Sequence, residues 1–88
     1  MNSYSFVNIT IYTKTGCPWC ADALLLLREK SVSFTEKECR SKQENFDELV
    51  KKSGQTLTPT LDIDGEILAD TDAPAIATFL KSKGVDGF

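Results

Sequence analysis

"KTGCPWCADALLLL", residues 14–27, sets Cys17 and Cys20 three positions apart, with Pro18 and Trp19 between them and a leucine-rich run behind. That spacing serves three chemistries: a pair of zinc ligands, a staple in a secreted fold, or a redox couple. The flanking segments decide among them. Upstream, "SFVNITIYT" (residues 5–13) is β-branched and aromatic, with Phe6, Val7, Ile9, Ile11 and Tyr12 apolar. It predicts a buried strand that ends at the turn Lys14-Thr15-Gly16. Downstream, Pro18 suits a first helical turn, where its missing N–H has no partner to lose. "WCADALLLLREK" then adds strong helix formers and a basic end that suits the helix dipole. Four successive leucines cover more than one face, which predicts a substantially buried helix.

The rest of the chain alternates in the same way. "SVSFTEKEC" (residues 31–39) predicts a second, more exposed strand through Val32 and Phe34. In "SKQENFDELVKKSG", Ser41 and Glu44 form a capping-box pattern, Phe46, Leu49 and Val50 mark one face, and Gly54 stops the helix. "TPTLDID" and "GEILA" form a hairpin about Asp64-Gly65, a favoured turn pair. A last helix starts at Asp72 as N-cap, with Pro74 in its first turn and Ala75, Ile76, Phe79 and Leu80 as its apolar stripe. Gly84 ends it, and the tail "VDGF" is expected to be loose. The order β-α-β-α-β-β-α needs a parallel pair across the first helix and an antiparallel pair at the Asp-Gly turn. The fold class is therefore α/β, a mixed four-stranded sheet flanked by three helices. Residues 1–88 make one domain with its core between about 5 and 84.

Composition narrows the function. A net charge of −3 with scattered lysines and arginines gives no footprint for nucleic acid. No apolar run is long enough for a membrane span, and the N-terminus lacks the pattern of a signal peptide, so the expected location is cytoplasmic. The absence of histidine removes Cys-His and Ser-His-Asp catalysis and all histidine-containing metal sites. Three cysteines cannot all pair within one chain, and a reducing cytosol opposes structural disulfides.

Zinc would need four ligands, and beyond the pair only Cys39 remains. No metal is expected. The redox reading needs a thiolate at neutral pH. Cys17 falls where a strand ends and a helix starts, so unpaired N–H groups and the positive dipole end face its sulfur. Lys14 adds a cation nearby. Such surroundings lower a thiol below its free value of about 8.5. Cys20, one turn further in, is placed to resolve a mixed disulfide formed at Cys17.

The motifs "YTKTGCPWC", "LTPTLDIDGEIL" and the "TD" before the last helix resemble the glutaredoxins, members of the thioredoxin fold. The resemblance runs from about Val7 to Gly84. Proline directly after the first cysteine is the dithiol form of that family. The resemblance implies that Cys17 attacks a disulfide or a glutathione mixed disulfide and that Cys20 resolves it. It implies glutathione as co-substrate, with Lys14, Trp19, Thr58, Pro59, Thr71 and Asp72 around it. Thr58-Pro59 matches the step whose proline is cis in this fold, and Asp72 matches the acid that receives the glutathione amino group. The partners implied are glutathione and disulfide-bearing or glutathionylated proteins, with the chain a monomer.

Departures from the family pattern lie at Ala69-Asp70-Thr71-Asp72, where many members carry two glycines and a Cys/Ser-Asp pair. Loss of a glycine removes a residue that adopts φ > 0 freely, and Asp70 adds negative charge where a glutathione carboxylate docks. Both weaken the expected affinity for glutathione. They motivate an alternative in which thioredoxin reductase is the electron source and a ribonucleotide reductase the recipient. A further alternative is an iron–sulfur or metal carrier that uses Cys17 from each of two chains. Cys39, where the family has an aliphatic residue, reads as a small buried hydrophobe.

Overall fold

In the computed structural model, which describes residues 7–88, the strand before the cysteine pair is β1, Ile9–Thr13. Ser5 and Phe6, the first residues assigned to it from sequence, lie outside the described residues. The chain continues through α1 (Pro18–Glu29), β2 (Thr35–Glu38), α2 (Gln43–Ser53), β3 (Thr60–Ile63), β4 (Glu66–Leu68) and α3 (Ala73–Ser82). The sheet order is β2-β1-β3-β4. β1 pairs parallel with β2 and antiparallel with β3, and β3 pairs antiparallel with β4. This is the mixed sheet that the element order requires, since the α1 crossover returns β2 parallel to β1 and the Asp64-Gly65 turn sets β4 antiparallel to β3. Between β3 and β4, Asp64 and Gly65 both take positive φ, 51° and 92°, the geometry a tight hairpin needs.

Side chains alternate across the central strand. Ile9 and Ile11 join Ala23, Leu27, Leu61, Ile63, Ile76, Leu80 and Val85 in the main core, beneath α1 and α3. Tyr12 points to the other face and packs with Cys39 and Leu49 against α2. The expectation that Cys39 behaves as a small buried hydrophobe agrees with its place there.

Four local expectations are corrected. The second strand is shorter than residues 31–39, because Ser31 turns at φ 56° and the ladder with β1 starts at Thr35. α1 is buried on one face only: Leu27 is fully enclosed while Leu25 is 54% exposed, as expected of a helix lying on one side of a sheet. Ser41 does not cap α2, whose N-cap is Lys42 without a side-chain bond. Ser41 donates instead to Glu38 Oε1, from N–H at 2.7 Å and hydroxyl at 2.8 Å. The tail is not loose. Gly84 turns at φ 75°, the Val85 N–H returns to the Leu80 carbonyl at 3.1 Å, and Val85 is buried in the core.

Candidate active site

The end of β1 and the start of α1 build the site. The Cys17 N–H bonds the Lys14 carbonyl at 3.1 Å, and Gly16 supplies the φ of 92° that closes this turn. Cys17 is then the N-cap of α1, in extended conformation, and its sulfur accepts the Cys20 N–H at 3.2 Å. One of the orphan donors of the helix thus points at the sulfur, as the strand-to-helix placement predicts. Across the gap, the Thr58 carbonyl lies 3.7 Å and the Thr58 hydroxyl 3.9 Å from Cys17 Sγ. The Thr58–Pro59 peptide bond is cis.

These contacts separate the two thiols. Burial alone would raise Cys17, but hydrogen bonds from Cys20, Thr58 and the Trp19 N–H together outweigh it and hold the thiol below its ordinary value. Cys20 is almost wholly buried, and that burial together with its contact to Cys17 pushes it up to about 11. The pair therefore consists of one partly exposed thiol that ionises more readily than an ordinary cysteine and one enclosed thiol that ionises less readily. A thiolate is the attacking species in disulfide exchange, so the arrangement makes Cys17 the better nucleophile.

Beside the sulfur lies a cavity of about 190 Å³ lined by Trp19, Thr58, Asp70, Thr71 and Asp72. The backbone after β4 is pinned to the start of β3 by two bonds, Thr71 N–H to the Pro59 carbonyl at 2.9 Å and Asp70 N–H to Thr60 Oγ1 at 3.2 Å. Asp72 caps α3 through the Ala75 N–H at 3.0 Å. Of the eight site residues read from sequence, Trp19, Thr58, Thr71 and Asp72 line this cavity. Cys17 reaches it through its contact with Thr58, while Cys20 and Pro59 lie buried behind those two. Lys14 has another partner. Its ammonium donates to the Thr56 carbonyl at 2.7 Å and lies 5.8 Å from the centre of the Phe46 ring. It braces the segment leading to Thr58, and the lowering of Cys17 comes from hydrogen bonds instead.

The missing glycine does not keep the chain out of the left-handed region. Asp70 adopts φ 50° itself, a left-handed conformation that Asp tolerates better than most side chains. What differs is the exposed carboxylate on the cavity rim. One residue at the site carried no sequence signal: Glu38, whose carboxylate accepts the Thr15 N–H at 2.7 Å and Thr15 hydroxyl at 3.0 Å. Only the parallel pairing of β1 with β2 brings it there. Among the described residues, no cluster of three or more His, Cys, Asp or Glu side chains is placed to hold a metal. No described helix is long and apolar enough to cross a membrane.

A four-stranded mixed sheet with three helices, a Cys-x-x-Cys pair at the first helix and a cis-proline opposite defines the thioredoxin-fold class. A family model described as Glutaredoxin matches residues 9–68. Glutaredoxin 3 of Escherichia coli K12 is 38% identical over 65 residues, 74% of this chain and 78% of that protein. The solution structure of glutaredoxin from Brucella melitensis is 30% identical with a TM-score of 0.64, over 91% of this chain and 84% of that one. An epsilon-class glutathione S-transferase from housefly is 28% identical with a TM-score of 0.66, over 85% of this chain and 34% of that one. The chain belongs to the glutaredoxin family and is a glutaredoxin-like thiol oxidoreductase.

Proposed function

We propose that this protein reduces protein disulfides and glutathione mixed disulfides in the cytoplasm, as a single-domain monomer recycled by glutathione. The observation that carries the reading is the opposed state of the two thiols, Cys17 lowered and Cys20 raised to about 11, beside an open cavity. The Cys17 thiolate attacks one sulfur of the substrate disulfide, forming a mixed disulfide and releasing the other sulfur as a thiolate that takes up a proton. Cys20 gives up its proton and attacks the Cys17 sulfur. The substrate leaves as a dithiol, and a Cys17–Cys20 disulfide remains. Two glutathione thiols then return the pair to the reduced form and leave as glutathione disulfide.

For glutathione, the Thr58 backbone beside Cys17 offers the peptide pairing that a cysteinyl residue needs. Thr71, Asp72 and the first N–H groups of α3 suit the charged γ-glutamyl end, and Trp19 forms an apolar wall. Resemblance to a glutathione S-transferase supports the same ligand. Turnover of hydroxyethyl disulfide with glutathione and glutathione reductase tests the reading, with Cys17→Ser expected to abolish it. Full activity in Cys17→Ser would sink it.

The Asp70 carboxylate favours a second reading for the electron source. It sits on the rim of the cavity, where it opposes the carboxylates of glutathione. Reduction by thioredoxin reductase is the consequence. Parallel assays with each reductant decide, and efficient turnover with glutathione alone counts against this second route.

A further inference from the structure

We propose that the protein substrates of this oxidoreductase dock through a basic and apolar segment, laid along a groove that leads from Cys17 between β4 and α3. The inference rests on the oxidoreductase reading above and specifies its substrate class.

Next to the cavity lies a larger groove of about 760 Å³, with Leu68, Pro74, Ala75, Thr78 and Phe79 among its lining residues. Asp70, Thr71 and Asp72 line both spaces, so the groove continues from the site along α3. Among the described residues, β4 is the last strand of the sheet and pairs only with β3, so its outer backbone edge is open to an extended chain. The charges are ordered along this path. Asp70 and Asp72 are exposed at the end near Cys17, and neither pairs with a cation among the described residues. At the other end of α3, Lys83 follows the groove residue Ser82; it is ion-paired with Glu66 at 2.8 Å and lies 5.3 Å from the Phe79 ring centre.

An occupant that complements this surface carries a lysine or arginine within a residue or two of its disulfide cysteine, and apolar side chains beyond it. α3 is ten residues long, about 15 Å, which some four or five extended residues would cover. Such a segment satisfies the Asp70 carboxylate, which glutathione, itself an anion, leaves opposed. Asp70 is thus a specificity-determining residue. It selects cationic disulfide segments and disfavours the anionic tripeptide.

The test compares two peptides that carry the same disulfide, one flanked by Arg and Leu, the other by Glu and Ser. kcat/KM is measured on the full chain with each, alongside hydroxyethyl disulfide. The wild type is expected to prefer the basic peptide by about fivefold at low salt, with the preference shrinking as salt rises. Asp70→Asn, which keeps a residue tolerant of positive φ, should cut the preference by at least half. Thr78→Arg, placing bulk and positive charge in the groove, should do the same. Equal rates for the two peptides, or a preference untouched by both substitutions, would overturn the docking while hydroxyethyl disulfide turnover persists. Loss of that turnover in the wild type sinks the oxidoreductase reading and the docking together.

Discussion

Glu38, the last residue of β2, accepts the backbone N–H of Thr15 at 2.7 Å from 23 positions away in the chain. The same carboxylate takes the Ser41 N–H and hydroxyl, so it ties the loop that carries Cys17 to the turn before α2. The Ser41 N–H, the Thr15 N–H and the Ser41 hydroxyl lower it from the ordinary 4.5 to about 2. A carboxylate lowered on folding contributes stability that is full above its unfolded value and is lost as pH falls through the folded one. Glu38→Gln should therefore lower Tm at pH 7. The gap from wild type should close between pH 4.5 and about 2, in thermal scans across that range. A gap that stays constant with pH would show that the carboxylate charge plays no part.

The cysteine pair makes a prediction of its own. Cys17 should react with iodoacetamide with a midpoint below the ordinary thiol value of 9.0, and Cys20 should resist until the pH approaches 11. Because Cys20 bonds the Cys17 sulfur with both its backbone N–H and its thiol, Cys20→Ala should move the Cys17 midpoint upward. Cys20→Ser, which keeps a donor, should move it less. Thiolate absorbance at 240 nm against pH reads both midpoints. Identical profiles for wild type and Cys20→Ala would place the cause elsewhere.

Most of the fold was legible because the signals that define it are local. Pro18 behind Cys17, the Asp64-Gly65 turn, Gly54 after α2 and Asp72 before α3 each fix a backbone feature within a few residues. The site followed, because Cys17 and Asp72 mark helix N-termini and Thr58-Pro59 marks the start of β3. Three features were not legible, each for a tertiary reason. Glu38 meets Thr15 only through strand pairing. Asp70 takes a positive φ only because its N–H and that of Thr71 are held by Thr60 and Pro59. Lys14 turns to Thr56 because the loop before β3 passes beside it. Ser41 shows the converse: a sound capping-box pattern is overridden when a nearby carboxylate offers both of its donors a better partner.

Behind the site, Tyr12 is fully buried and donates its hydroxyl to Glu48, which also holds the Lys37 ammonium at 2.9 and 2.8 Å. Burial, then the bond and charge of Glu48, pushes the phenol from 10.0 up to about 12. A raised folded value means this contribution is intact below pH 10 and disappears as pH rises through about 12. Tyr12→Phe removes a hydrogen bond to a charged group and should cost about 1.5 kcal/mol, a fall in Tm of roughly 6–12 °C. The deficit should shrink above pH 10, measured by urea unfolding with and without the substitution. A neutral effect at pH 7 would mean that Lys37 and Lys52 satisfy Glu48 without the phenol.

The docked tail supplies the last prediction. Val85 is 3% exposed and belongs to the core cluster with Leu27, Ile76 and Leu80. Beyond it, Phe88 packs against the same cluster and lies 5.8 Å from Lys30 Nζ, and Gly87 runs past the Lys30 carbonyl. The final four residues therefore bind the end of α1 to the end of α3, the two helices that cover one face of the sheet. Val85→Ala removes two buried carbons and leaves a small void. The expected loss is about 2 kcal/mol, or a fall in Tm of roughly 8–16 °C. Truncation after Gly84 should cost more, since it also strips Phe88 from the cluster. Neither change touches the hydrogen bonds at Cys17, so its thiolate midpoint should stay where it is while the protein remains folded. A midpoint that moves with the tail would link the closed end of the core to the reactive sulfur, and an unchanged Tm would return the tail to the loose state that its sequence suggests.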